Sequence, residues 1–295
     1  MTGAASVAIA GIVIGSFGTL GDLLGKANPW RGFQADGFNL VVLRLQRVDS
    51  AECKPWIDAF GAEGRGSQVP LTDDGWKSAW SSWEPWTGED IEAVSDCDDF
   101  PCDVKLNAAE ADAMKKAPEA ERMAKFRSLV EARSRRYLKS GERKEYEFAG
   151  DPVDPWAHLE KLGLRSQVPR PEKAQLWARK YNLDPKKMKT LHQILDLRSA
   201  RSKSGTEAAL WVRDAYTDHY FDGWGEWATL ACDPPGASKK GVTLVHALYL
   251  EVDLLKKTDL FSRLARGKLR SAIEEKGGVY LDTAFERIRE RAAAR

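Results

Sequence analysis

The segment Ala208–Cys232 concentrates the residue types that can do chemistry. It holds three of the eleven tryptophans, one of the four histidines and one of the four cysteines, with aspartates on both sides of the histidine. If the segment is a strand, neither of its two alternating faces is wholly apolar, which suits the lining of a partly polar pocket. The predicted ligand-binding residues are Trp211, Tyr216, Asp218, His219, Tyr220, Asp222 and Trp224.

If the same segment is a helix, it predicts a metal site instead. Asp214, Asp218 and Asp222 then stand at i, i+4 and i+8, with His219 beside them. A histidine flanked by carboxylates on one helical face can hold a divalent metal. The alternative function is therefore a metal-dependent hydrolase centred on His219, with Asp218 and Asp222 as the further ligands.

The sequence gives little other support for an enzyme. The remaining histidines are His158, His192 and His246, and His246 lies on the apolar face of a predicted strand, where a hydrogen-bonded core histidine is the common case. No phosphate-binding loop, dinucleotide fingerprint, zinc-protease helix or nucleophile elbow occurs in the sequence. No catalytic residue is assigned, and no cofactor is predicted.

The cysteines suggest a disulfide. Cys97 and Cys102 flank a DDFP turn that can bring their Cα atoms within bonding range, so we predict that they pair. Free thiols and a metal site are the alternatives for these two residues. Whether Cys53 pairs with Cys232 is left open.

Residues 4–20 form an uncharged apolar run with glycine at 11, 15 and 18, and Gly21 follows directly. Its length lies between a signal-peptide core and a membrane span, although no Lys or Arg precedes it. We predict a signal peptide or membrane anchor at 1–27, a Trp-rich region at 28–88 and a main domain at 89–295. The expected location is periplasmic or membrane-anchored.

The composition is typical of a globular protein, with 43% hydrophobic and 30% charged residues. The net charge of +1 gives no global field that would attract a nucleic acid, so we predict no nucleic-acid partner. A membrane surface is a possible partner because of the apolar run.

Hydrophobic patterning predicts the following elements: strands at 38–48, 191–200 and 242–252, and helices at 119–140, 172–181, 260–273 and 281–291, the last two separated or kinked at Gly277-Gly278.

Three sequence blocks carry a resemblance. They are DCDDFPCDVKL at 96–106, YTDHYFDGWGEW at 216–227 and EVDLLKKTDLFSRLARGKLRSAIE at 251–274. Together they resemble a family of uncharacterised secreted proteins of Gram-negative bacteria, over roughly residues 89–295. This resemblance implies export and carries no known activity.

The order of the elements is similar to that of START-like helix-grip domains, which hold lipids or other apolar ligands between a curved antiparallel sheet and a long helix. That analogy is at fold level only. We therefore predict an α+β fold with a curved antiparallel sheet packed against a long C-terminal helix. The predicted function is binding of an apolar or amphipathic, lipid-like ligand between the two. An envelope structural or adaptor protein is the remaining alternative.

Overall fold

The structure is a computed structural model of the 295-residue chain. It describes residues 12–14, 33–35, 38–50, 52–63, 69–82, 106–140, 164–166, 168, 171, 173–181, 190–218, 221–233, 236, 240–252 and 260–295.

The described strands form two antiparallel sheets. Eight of them make one open sheet in the order β2-β3-β10-β9-β8-β7-β6-β4, while β1 pairs with β5. The strands are β1 (Ile12–Ile14), β2 (Phe33–Ala35), β3 (Phe38–Asp49), β4 (Val69–Pro70), β5 (Leu164–Ser166), β6 (Leu176–Tyr181), β7 (Leu191–Arg201), β8 (Glu207–Thr217), β9 (Phe221–Cys232) and β10 (Gly241–Val252).

Helices cover both faces of the large sheet, which confirms the predicted α+β class. The described helices are α1 (Lys54–Glu63), α2 (Asp73–Ser82), α3 (Ala108–Lys115), α4 (Arg122–Ser140, preceded by a 3-10 turn at Glu119–Glu121) and α5 (Leu260–Ala293). Helices α1 and α5 pack on one face, called here the α5 face. Helices α2, α3 and α4 pack on the opposite face, called the α4 face. The long C-terminal helix against an antiparallel sheet is thus as predicted.

The α5 face carries two separate apolar clusters. Cluster 1 joins α1 and the C-terminal half of α5 to the sheet, and it includes Trp56, Leu210, Leu230, Leu244 and Phe285. Cluster 2 lies further towards the N-terminus of α5, and it includes Val42, Leu191, Trp224, Leu248 and Leu281. Because helices cover both faces, the central strands are buried along nearly their whole length.

The predicted strands at 38–48, 191–200 and 242–252 are confirmed, as is the helix at 119–140. The helix predicted at 172–181 is wrong, because Leu176–Tyr181 is strand β6 and pairs with both β4 and β7. Trp177 and Arg179 point to the α5 face and Ala178 to the other, so pairing across the sheet decides this segment.

The glycine pair does not divide the C-terminal helix, since α5 is continuous through it. It brings the helix close to the sheet instead. A Cβ on Gly277 would lie 3.1 Å from Val42 Cγ2, and a Cβ on Gly278 would overlap the guanidinium of Arg44. The predicted separation into two helices is wrong, because these glycines provide space for close packing, and the alternative of a kink stays a prediction.

The segment Ala208–Cys232 is neither one strand nor a helix. It forms most of a β-hairpin, with β8 ending at Thr217 and β9 beginning at Phe221. The helical reading of the segment is therefore wrong, and the i, i+4, i+8 alignment of its aspartates does not exist. A bulge opposite Ile194 and Leu195 shifts the register of β8 near its end.

A disulfide joins Cys53, just before α1, to Cys232 at the end of β9, with a Cα–Cα distance of 5.8 Å. The predicted partners Cys97 and Cys102 lie outside the described residues. Residues of the Trp-rich region share the sheet and the cores of the main domain. They form α1, α2 and β2–β4, and the disulfide joins Cys53 of this region to β9. Within 1–27, the described residues Ile12–Ile14 form strand β1. No helix in the described part of the chain is long and apolar enough to cross a membrane.

Candidate functional site

The predicted ligand-binding residues fall on both faces of the sheet. Trp224 lies on the α5 face in cluster 2, whereas Tyr216 lies on the α4 face among the side chains of α2 and α4. Trp211 alternates with Leu210 and Val212 of cluster 1, which places it on the α4 face opposite Trp227 of β9. His219 and Tyr220 lie outside the described residues, and Asp222 is described only in its backbone.

Tyr216 is a buried residue of the core on the α4 face. Its ring makes an edge contact with that of Phe126, with 6.3 Å between the ring centroids, and the guanidinium carbon of Arg133 lies 5.2 Å from the Tyr216 centroid. Arg133 is itself 2% exposed and forms a buried ion pair with Glu110. This cation–π and ion-pair arrangement joins α3 and α4 to the sheet.

Asp218 holds the end of β8 to the start of β7. Its Oδ1 accepts the backbone N–H of His192 at 2.9 Å, and its Oδ2 lies 2.7 Å from His192 Nδ1. Both residues are buried. A carboxylate that is hydrogen-bonded to one imidazole nitrogen fixes the orientation of the ring. Many acid–base sites orient their histidine in this way.

A row of polar side chains crosses the α5 face between the two apolar clusters. Along β9 the order is Trp224, Glu226, Ala228, and along β10 it is Leu248, His246, Leu244, so a polar residue separates cluster 2 from cluster 1 on each strand. We call this row the polar belt. Its members are Arg179, Gln193, Asp214, Thr217, Trp224, Glu226, His246 and Tyr280.

Glu226 is the centre of the belt. Its Oε1 accepts hydrogen bonds from Trp224 Nε1 and from the Tyr280 hydroxyl, both at 2.8 Å, and from Arg179 Nη1 at 3.3 Å. Its Oε2 lies 3.6 Å from His246 Nε2. Tyr280 comes from α5. The Glu226 carboxylate therefore lies beneath α5 and contacts side chains of that helix and of strands β6, β9 and β10.

Arg179 of β6 connects Glu226 of β9 with Gln193 of β7. Its Nε and Nη2 donate to Gln193 Oε1 at 3.0 and 2.5 Å, and its guanidinium carbon lies 4.9 Å from the Trp224 ring centroid. Gln193 in turn donates to Thr217 at 3.3 Å, and Thr217 donates to a carboxylate oxygen of Asp214 at 3.1 Å. All members of the belt except His246 are thus joined in one hydrogen-bond network of charged and neutral groups.

The charges of the belt are set by its contacts. Burial raises the pKa of Glu226, but the interaction with the His246 ring and the charge of Arg179 together outweigh it and lower the pKa to about 2. Burial lowers the pKa of Arg179, while Tyr280 and Glu226 raise it by more, so the guanidinium stays protonated. The belt therefore holds an ionised pair inside the protein.

His246 is the member of the belt with the fewest contacts. It is 5% exposed and lies between Arg44 of β3 and Ala228 of β9 in the sheet register. Within the described part of the chain, neither of its ring nitrogens has a hydrogen-bond partner, since the contact with Glu226 is too long for one. The predicted core position of His246 is confirmed, but the expected hydrogen bond is not found among the described residues.

The sequence offered only weak signals for the belt. Arg179 fell in a segment predicted to be helical, and Tyr280 follows a glycine pair that was read as a break. Glu226 stands between Gly225 and Trp227 in the segment singled out above, and an acidic residue flanked by apolar strand positions was the signal that could have revealed it.

No group of three or more His, Cys, Asp or Glu side chains that could hold a metal ion occurs among the described residues. Comparison of the chain with protein-family models, with curated proteins and with solved structures gives no match.

Proposed function

We propose that this is an exported protein that binds an amphipathic, lipid-like small molecule between the sheet and α5. The observation that carries the proposal is the polar belt between two apolar clusters, with the imidazole of His246, for which the described residues provide no hydrogen-bond partner. A ligand with one polar end and an apolar body matches a surface on which a polar row lies beside apolar clusters. The polar end would bind at His246, and the apolar body would lie against cluster 2.

The cost of burying the belt supports a binding role. Charged groups that leave water lose several kcal/mol each, and well-packed apolar side chains in their place are often at least as stable. The belt interrupts what would otherwise be one continuous apolar layer beneath α5. A few buried polar groups in an apolar lining are typical of binding sites, where they orient the ligand.

Export is part of the proposal. Structural disulfides persist in oxidising compartments, so the bond between Cys53 and Cys232 is the observation that favours export. The resemblance to secreted Gram-negative proteins points in the same direction. The anchor at 1–27 and the envelope adaptor role stay predictions.

Native mass spectrometry of the full chain tests the binding proposal. Protein purified without organic solvent should carry a bound mass that extraction with chloroform and methanol removes. The extracted protein should then bind laurate saturably, with a change in tryptophan fluorescence because Trp224 lies in the belt. Protein that is empty as purified and that does not bind laurate after extraction would contradict the proposal.

Two variants locate the ligand. His246→Leu keeps the approximate volume and removes the imidazole, so it should weaken laurate binding at least tenfold. Tyr249→Phe is the matched control, because Tyr249 lies on the same strand but on the α4 face and is buried there. Equal laurate affinity in both variants would place the ligand elsewhere.

A hydrolase is the second candidate, and the pair of His192 and Asp218 favours it. An imidazole oriented by a carboxylate 2.7 Å from its Nδ1 is the usual base for activating a nucleophile or a water. The His219-centred metal site was predicted for a helix, so strands β8 and β9 leave it without that geometry. Hydrolysis of a panel of nitrophenyl esters that is lost in His192→Gln and retained in His246→Leu would favour the hydrolase, and no turnover by wild-type protein would remove it.

A further inference from the structure

A concave site lies on the α5 face at the far end of the sheet from cluster 2. It is a cleft of about 470 Å³ between the C-terminal half of α1 and the adjoining ends of β7 and β8. The residues that line it are Asp58, Phe60, Gly61, Ala62, Ser199, Ala200, Arg201, Ala208, Ala209 and Arg295. Most of these side chains are small, which leaves the space open.

The charged groups of the cleft converge on Asp58. Its carboxylate oxygens accept from Arg201 Nη1 at 2.6 Å and from Lys54 Nζ at 2.5 Å, and Arg295 Nη1 lies 3.5 Å away. Three cationic side chains against one carboxylate leave an excess of positive side-chain charge. The hydrogen bonds from Lys54 and Arg201 lower the pKa of Asp58, so the carboxylate stays ionised and the excess is no larger than this.

Arg201 is held in position over the cleft. A Cβ on Gly61 would lie 2.7 Å from Arg201 Nη2, so the glycine allows the guanidinium to lie directly against α1. Only Nη1 of this guanidinium is engaged, and Nε and Nη2 have no acceptor in the part of the chain that the structure describes. A guanidinium fork with unused donors matches the two oxygens of a carboxylate or phosphate.

We propose that this cleft binds a small organic anion, with a carboxylate or phosphate group on Arg201 and a compact apolar body against the alanines and Phe60. The site is separate from the polar belt, and the proposal does not depend on the function proposed above. The excess positive charge selects anions, and a volume of about 470 Å³ is within the range of small-molecule sites. The apolar part of the lining distinguishes an organic anion from a free inorganic one.

The test uses the full chain with its disulfide intact and four probes: benzoate, phenyl phosphate, inorganic phosphate and the uncharged benzyl alcohol. Binding is followed by calorimetry and by the NMR signal of the Arg201 Nε–H group. We expect benzoate or phenyl phosphate to bind saturably, at least tenfold more tightly than benzyl alcohol and than inorganic phosphate, and to shift the Arg201 signal. An organic anion that binds no more tightly than either reference probe would overturn the proposal.

Three variants make the assignment specific. Arg201→Gln should weaken binding of the organic anion at least tenfold, whereas Lys203→Gln, the same loss of charge on an exposed residue outside the lining, should change it less than twofold. Ala62→Leu should fill the cleft and abolish binding while every ion pair of Asp58 is kept. Unchanged binding in folded Ala62→Leu protein would show that the anion binds elsewhere.

Discussion

The ionised Glu226 in the polar belt makes a measurable contribution to folding stability. A fall of its pKa from the ordinary 4.5 to about 2 corresponds to about 3 kcal/mol, at about 1.4 kcal/mol for each tenfold change in proton affinity. Glu226→Gln keeps the shape of the side chain but removes its charge and leaves Arg179 as a buried cation without its counter-charge. We therefore expect the variant to lose about 3 kcal/mol of unfolding free energy at pH 7.

The pH dependence gives the prediction its sign. The pKa of Glu226 is lower in the folded than in the unfolded chain, so the stabilisation is fully present above about pH 4.5. It is lost as the pH falls towards 2. At pH 3 about half of it remains, so the difference between wild type and Glu226→Gln should shrink to about 1.5 kcal/mol.

Urea unfolding followed by tryptophan fluorescence measures both values, without reductant so that the disulfide stays closed. Glu286→Gln is the control, because this residue on α5 is half-exposed and its pair with Arg289 is at the surface, where we expect less than about 1 kcal/mol. A loss below about 1 kcal/mol for Glu226→Gln at pH 7, or a loss that does not shrink at pH 3, would refute the reasoning.

Three further changes test the packing around the site, each by the same urea titration. Replacing both Cys53 and Cys232 by Ala should cost about 5 kcal/mol, since the disulfide closes a loop with a sequence separation of 179 residues. Gly278→Ala should cost about 1–3 kcal/mol, because its Cβ would overlap Arg44 and force that buried guanidinium aside. Tyr137→Phe should cost about 1–2 kcal/mol, since its hydroxyl donates a 2.8 Å hydrogen bond to a buried carboxylate.

The cysteine replacement and Gly278→Ala each have their own control. Wild-type protein treated with reductant should match the double cysteine variant, and a reduced protein as stable as the oxidised one would contradict the loop estimate. Val279→Ala, at an exposed position next to the glycine, should stay within about 0.5 kcal/mol of wild type. Gly278→Ala as stable as Val279→Ala would mean that α5 does not need its close approach to Arg44.

The sequence by itself determined the elements whose signals are local. The alternation of apolar side chains in Val242–Val252 and the apolar stripe of the helix ending at Ser140 are set by short-range patterning, and both are found where predicted. The α+β class follows from the same patterns, as does the long helix at the C-terminus.

Only the tertiary structure decided the features that depend on partners distant in sequence. Strand β6 forms because β7 and β4 pair with it, and Cys53 meets Cys232 because β9 ends beside α1. Trp224 lies on one face and Trp211 and Tyr216 on the other because of the pairing of β8 with β9 and the bulge near the end of β8. The polar belt joins residues from 179 to 280, and no local pattern encodes a hydrogen bond over that separation. Burial from both sides also removes the alternation that would mark a functional face in the sequence.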